Sequence, residues 1–286
     1  MGILWATSGI PGLPAEPGFM MLIGVLTFAP SFLATVYMMR RADPQPWSWA
    51  ALGREAARPV TVIGGLLIGA VTIALPIGLL IAIGWVAFTK SVPGDPIMAG
   101  LVLALFFAPA ALAEELLLRG YAFAALRERW SPSIAIGFTS LVFGILHAGN
   151  PGANGLSIAL VTLAGIFLGV VLVATNSLYA AWAAHFAWNW VMVGVFHANV
   201  SGYPFPTPVY RMVSTGPSWA TGGRWGPEGG LVAGLAMLLG IGLMYWFARD
   251  RFTADYGLRT EATADSGLRT ADGAAPKSDD ESSDNR

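Results

Sequence analysis

Three groups of polar side chains interrupt a chain that otherwise has few. The stretch AEELLLRGY, residues 113 to 121, sets two adjacent carboxylates, Glu114 and Glu115, five and four residues ahead of Arg119. Further on, Phe143 stands four residues before His147, and His185 stands four residues before Asn189. A carboxylate and an imidazole held side by side in a wetted cavity of low dielectric can share and activate a water, as general-base hydrolysis requires. Imidazole and carboxamide both carry N–H donors, which suit a developing oxyanion. Two histidines and a glutamate also make a plausible zinc set, here Glu114, His147 and His185.

The elements that must position these groups are membrane helices. Of the 286 residues 55% are hydrophobic and 12% charged, which is the balance of a membrane protein. Crossing a hydrocarbon core takes about 20 apolar residues. Candidate runs fall at 19–39, 60–89, 97–118, 134–148, 156–175, 179–198 and 230–248, so the expected fold is all-α, a polytopic transmembrane bundle of seven to eight spans. The run at 60–89 contains Pro76 and several glycines; it reads either as one tilted, kinked helix or as a helix followed by a re-entrant piece.

Arginines set the orientation. Arg40, Arg41, Arg54 and Arg58 share one loop, Arg127 and Arg129 another, and Arg249 and Arg251 follow the last run, whereas the opposite loops hold Lys90, Arg211 and Arg224. The positive-inside bias then puts the N-terminus outside and the C-terminus in the cytoplasm. The first run is too long for a signal-peptide core, and it has no basic region before it, so it is expected to stay. With no cysteine, a thiol nucleophile, a disulfide framework and cysteine-ligated metal are excluded. The net charge of −1 gives no argument for a nucleic-acid partner, and none is expected.

Outside the expected transmembrane body at 19–248 lie an extracytoplasmic segment, 1–18, and a tail, 249–286. The tail carries the tandem TADYGLRTEA and TADSGLRTAD and is expected to be a disordered cytoplasmic segment. Residues 199–229, rich in Pro, Gly and aromatics, are too long for a mere connector. They read as a lid or as aromatic anchors at the membrane interface.

Ionisable groups inside such a bundle need a reason, because a charge near the bilayer centre costs several kcal/mol unless it is paired or faces water. Glu115 and Arg119, four apart, share a helical face and can pair. Glu114 is turned about 100° from Glu115 and is left for another neighbour. Trp130-Ser131-Pro132-Ser133 reads as the turn of a hairpin whose second arm runs back antiparallel. Glu114 and His147 then lie level, each roughly 23 Å from the bend at 1.5 Å per residue. By the same count His185 is only about 12 Å from a bend at 175–178, so it joins them only if its helix is shifted or that bend lies deeper.

Taken in order, Glu114-Glu115-x3-Arg119, Phe143-x3-His147 and His185-x3-Asn189 resemble the CPBP family, the CAAX proteases and bacteriocin-processing enzymes also called Abi, over about residues 97–198. The resemblance implies an intramembrane endopeptidase in which Glu114 and His147 activate water, His185 and Asn189 form the oxyanion hole, and Glu115 and Arg119 support them. Phe143 would form one wall. Both a metal-dependent and a metal-free glutamate mechanism fit that family, so zinc is an open cofactor. The implied partners are a peptide or protein substrate, prenylated or not, and the lipid bilayer, most simply a bacterial cell membrane. No HExxH, no serine-protease GxSxG and no aspartate within an apolar run offers another intramembrane protease class.

Two other classes compete. Carboxylates and histidines in a helical bundle also mark a transporter or proton relay, though no internal repeat supports one here. A non-catalytic membrane immunity or scaffold protein would instead rely on the 199–229 loop or the tail. His197, outside the motifs, reads as structural, and Gly65-x3-Gly69 as a close helix contact.

Overall fold

The computed structural model describes residues 17–205 and 207–272. The expected N-terminal segment up to residue 16, and residues 273–286 of the tail, lie outside the described residues. The chain forms helices α1 (Pro17–Tyr37), α2 (Pro59–Ala82), α3 (Pro96–Arg119), α4 (Tyr121–Arg129), α5 (Pro132–Leu146), α6 (Gly155–Thr175), α7 (Leu178–Trp190) and α8 (Leu231–Asp272). Helix α7 ends in a π-helical turn, Val191–Val195, and a single helical turn lies at Ser218–Thr221.

Among the described residues four segments are long and apolar enough to cross a membrane: α2, α3 with α4, α6, and α8 up to Phe252. Helix α5 is apolar but shorter. Their outward faces are greasy. On α2 the exposed large apolar side chains include Val60, Ile63, Leu67, Val71, Leu75 and Leu79, one stripe at helical spacing, while Ile73, Ile77 and Leu80 are fully buried. A helix apolar on both faces is one whose outer stripe meets lipid rather than water.

Small residues set how closely the helices approach. Helix α2 packs along α7, and there the Gly65-x3-Gly69 pair faces the backbone of Ala180 and Ala184 so closely that no side chain fits. Gly165 of α6 likewise lies against Ser140 of α5, and Gly144 against Thr162. Helix α1 packs on α3, and α8 on α6 and α2.

Two expectations are corrected. The run at 60–89 is neither one kinked helix nor a helix with a re-entrant piece: α2 ends at Ala82 and Val86–Lys90 is a strand, β1. It pairs antiparallel with β2, Tyr210–Ser214, with Val86 opposite Ser214 and Lys90 opposite Tyr210. Backbone groups freed where a helix stops need partners, and the 199–229 loop supplies them. Second, the chain between Glu114 and Trp130 is not one helix. It breaks at Gly120 (φ −79, ψ −123), where an added Cβ would meet the Leu116 carbonyl. Helix α8 runs on past a kink at Ala248 through Asp272 and includes the duplicated sequence.

Candidate active site

Three helices bring the motif residues together, and each begins at a well-formed cap. Asp95 caps α3 by accepting from the backbone N–H groups of Ile97 and Met98, with Pro96 at the first helical position. Ser131 caps α5 by accepting from Ile134 N. Ser177 caps α7 by accepting from Ala180 N, and its own hydroxyl donates to the Ala56 carbonyl at 2.6 Å.

That last bond answers the depth question. Ser177 and Leu178 are wholly buried, and Leu178 N donates to the Ala51 carbonyl. The bend between α6 and α7 is therefore covered by the 47–57 segment rather than lying at the surface. His185 reaches the carboxylates from there.

His185 sits between two acids. Its Nδ1–H donates to Glu115 Oε1 at 2.9 Å, and its Nε2 lies 3.8 Å from Glu114 Oε2. Glu115 Oε1 also accepts from Arg119 Nη1 at 3.3 Å, the expected same-face pair, and Arg119 Nη2 donates to the Gly165 carbonyl at 3.2 Å. Glu115 and Arg119 are fully buried side chains. The Arg119 guanidinium lies over the Phe143 ring, 4.7 Å from its centroid, so a cation–π contact joins the ion pair. Phe143 in turn packs tilted on His147 at 4.6 Å and edge-on to His185 at 5.9 Å.

His147 is the C-cap of α5, so its ring leaves the helix end. Its Nδ1 faces the Phe143 carbonyl at 2.7 Å. A carbonyl can only accept, so Nδ1 carries the proton and Nε2 is the nitrogen left for other work.

Glu114, His147, His185 and Asn189 line one cavity, with Phe143 as part of its wall. The expected residues are thus gathered, and Glu115 and Arg119 lie directly behind His185. His197 stands apart: its Nδ1 donates to the Tyr210 carbonyl at 2.7 Å and its ring stacks on Tyr210, a structural role.

The cavity also has a wall that the motifs do not predict. Asn150, Trp188, Ser201, Tyr203, Phe205 and Glu228 complete it. Much of the 199–229 loop is thus folded over the site rather than spread as interface anchors. Glu228, two residues short of the last apolar run, is 5% exposed and accepts from Trp188 Nε1, Ser201 N and Ser201 Oγ. Nothing local in the sequence marks it, because its partners lie 27 and 40 residues away.

Among the described residues no three His, Asp or Glu side chains group closely enough to hold a metal ion. One ring nitrogen of each motif histidine, Nδ1, is held by Glu115 and by the Phe143 carbonyl respectively, which leaves Nε2 of each for a proton, a water or a metal.

A helical bundle with lipid-facing stripes around a buried Glu/His/Asn cavity defines an integral membrane protein with a polar internal site. Residues 96–191 match the family model described as type II CAAX prenyl endopeptidase Rce1-like, which upholds the resemblance to the CPBP family over that segment. No curated protein and no solved structure matches the chain. The matched segment runs from the start of α3 to the end of α7, so it contains every motif residue.

Proposed function

We propose that this protein is an intramembrane endopeptidase of the CAAX-protease type, hydrolysing a peptide bond with a water activated by Glu114 and His147. The observation that carries the reading is the convergence of Glu114, His147, His185 and Asn189, from three helices, on one buried cavity. Glu114 takes a proton from the water, and the hydroxide attacks the scissile carbonyl carbon. His147, with Nδ1 fixed on the Phe143 carbonyl, offers Nε2 to the same water.

The tetrahedral oxyanion is received by N–H donors of His185 and Asn189. Donation from Nε2 as well as Nδ1 makes His185 an imidazolium, held on Nδ1 by the Glu115 carboxylate and facing the oxyanion with Nε2. As the C–N bond breaks, the proton held by Glu114 passes to the leaving amine. Glu115 and Arg119 act by positioning His185, since Arg119 is tied in turn to α6 and Phe143. No step here is routed through a metal.

In this reading α1, α5 and α7 cross the membrane with the four longer segments, giving seven spans, with the N-terminus outside and the C-terminus in the cytoplasm. The substrate is a peptide or protein segment entering from the bilayer, with prenylated chains among the candidates. The test is cleavage of a quenched peptide library, prenylated peptides included, by detergent-purified wild type and Glu114→Gln, each with and without chelator. Loss of general-base help costs ~10²- to 10⁴-fold, so cleavage that falls this far in the folded variant supports the reading. Survival in chelator sides with the glutamate mechanism and loss with zinc. Equal cleavage by both proteins refutes the assignment.

A further inference from the structure

The part of the cavity wall outside the motifs has an unmatched charge. Glu228 is buried, and all three groups it accepts from, the Trp188 indole and the backbone and hydroxyl of Ser201, are neutral. Among the described residues no cation pairs with it. A buried carboxylate without a counter-charge is costly, and the cost falls when a cation arrives.

A second observation points the same way. Asn150 is 4% exposed and lines the same cavity. Its Nδ2 donates to the Ser201 carbonyl at 3.0 Å. That carbonyl can only accept, so the orientation of the amide is fixed and Oδ1 is the atom left over. Asn150 Oδ1 is buried and has no hydrogen-bond partner among the described residues.

Ser201 links the two: its carbonyl holds Asn150, and its N–H and hydroxyl hold Glu228. The result is a continuous acceptor patch, one negative and one neutral. Trp188, which also holds Glu228, is next in sequence to Asn189. The acceptor wall therefore abuts the donor wall.

We infer that Asn150 and Glu228 form a substrate subsite that takes a basic side chain, a lysine or arginine close to the bond that is cut. A peptide N–H would satisfy Asn150 Oδ1 but leave the charge of Glu228 unmatched, whereas an ammonium or guanidinium satisfies both. This subsite rests on the endopeptidase reading for its purpose, but binding tests it apart from cleavage.

The experiment uses full-length protein carrying Glu114→Gln, which keeps peptides intact, and labelled peptide pairs that differ only by lysine or norleucine at each position in turn. Binding is measured for this protein and for the same protein with Glu228→Gln, both checked by thermal unfolding. The first is expected to bind one lysine peptide at least ~10-fold more tightly than its norleucine partner, and in the second that ratio is expected to fall to within about two-fold of one. Glu228→Lys is expected to turn the preference toward a glutamate peptide, a reversal that a loop merely loosened does not produce. A ratio near one in the Glu114→Gln protein, or a lysine preference that survives Glu228→Gln, overturns the subsite. Cleavage by wild type is scored separately, so failure of the protease reading is visible in that assay and failure of the subsite in this one.

Discussion

Replacing Gly69 by alanine tests whether the contact between α2 and α7 sets the position of His185. A Cβ at Gly69 would lie 2.0 Å from the Ala184 carbonyl oxygen and 2.7 Å from its Cα, backbone atoms of the residue just before His185. An ordinary contact begins near 3.4 Å. Along that line α7 must retreat by about 3.4 − 2.0 = 1.4 Å. A flexible side chain could turn aside, but a helix backbone cannot, so the displacement passes to His185 and its 2.9 Å bond to Glu115. Overpacking of this kind costs ~1–3 kcal/mol, and a misplacement of about 1 Å at a catalytic site lowers rate ~10²-fold. Gly64→Ala is the control, since it lies in the same helix with nothing within 4 Å and gains the same ~1 kcal/mol of helix propensity. Thermal unfolding in detergent and peptide cleavage are read side by side for both variants. Gly69→Ala is expected to unfold at lower temperature than Gly64→Ala and to lose most of its cleavage. If Gly69→Ala matches Gly64→Ala in both, the close approach of α2 and α7 does not hold the site.

Arg119→Met leaves Glu115 as a buried acid without its cation and removes the bond to Gly165; the expected loss is ~3–5 kcal/mol, seen as a large fall in unfolding temperature, with Arg119→Lys recovering only part because it lacks the second N–H arm. Ser177→Ala removes both the cap of α7 and the bond to Ala56, and is expected to destabilise by about 1–2 kcal/mol in denaturation assays. Burial pushes the Tyr203 phenol above its usual value near 10. The stability this gives is fully present below pH 10 and is lost as pH rises through the higher folded-state value, so wild type should lose stability above pH 10 more steeply than Tyr203→Phe.

What the sequence made legible was short-range. Glu115 with Arg119 and His185 with Asn189 are i, i+4 pairs, and helical spacing alone puts each pair on one face. The apolar runs gave the helices for the same reason, since burial in lipid leaves a stretch of some twenty apolar residues few other structures. Counting residues from a turn was less secure. It treated 114–130 as one straight helix, yet Gly120 breaks it, and it placed the bend before α7 at the surface, yet Ser177 is buried there by its bond to Ala56, 121 residues away.

The same limit explains the missed wall of the cavity. Val86–Lys90 looked like the end of an apolar helix because its partner strand, Tyr210–Ser214, lies over a hundred residues on, and five residues of alternation are too few to stand out beside a long apolar run. Glu228 sits in Gly-Pro-Glu-Gly, which reads as a turn, and turn residues say where the chain reverses but not what they face. In the folded chain β2 of the 199–229 loop pairs with β1, and elsewhere in the same loop Ser201 and Glu228 come together against Trp188. The motif helices thus carry chemistry that local spacing can announce, while the wall facing them is built by long-range pairing. That division is why the expected catalytic groups could be named from the sequence and the acceptor patch of Asn150 and Glu228 could not.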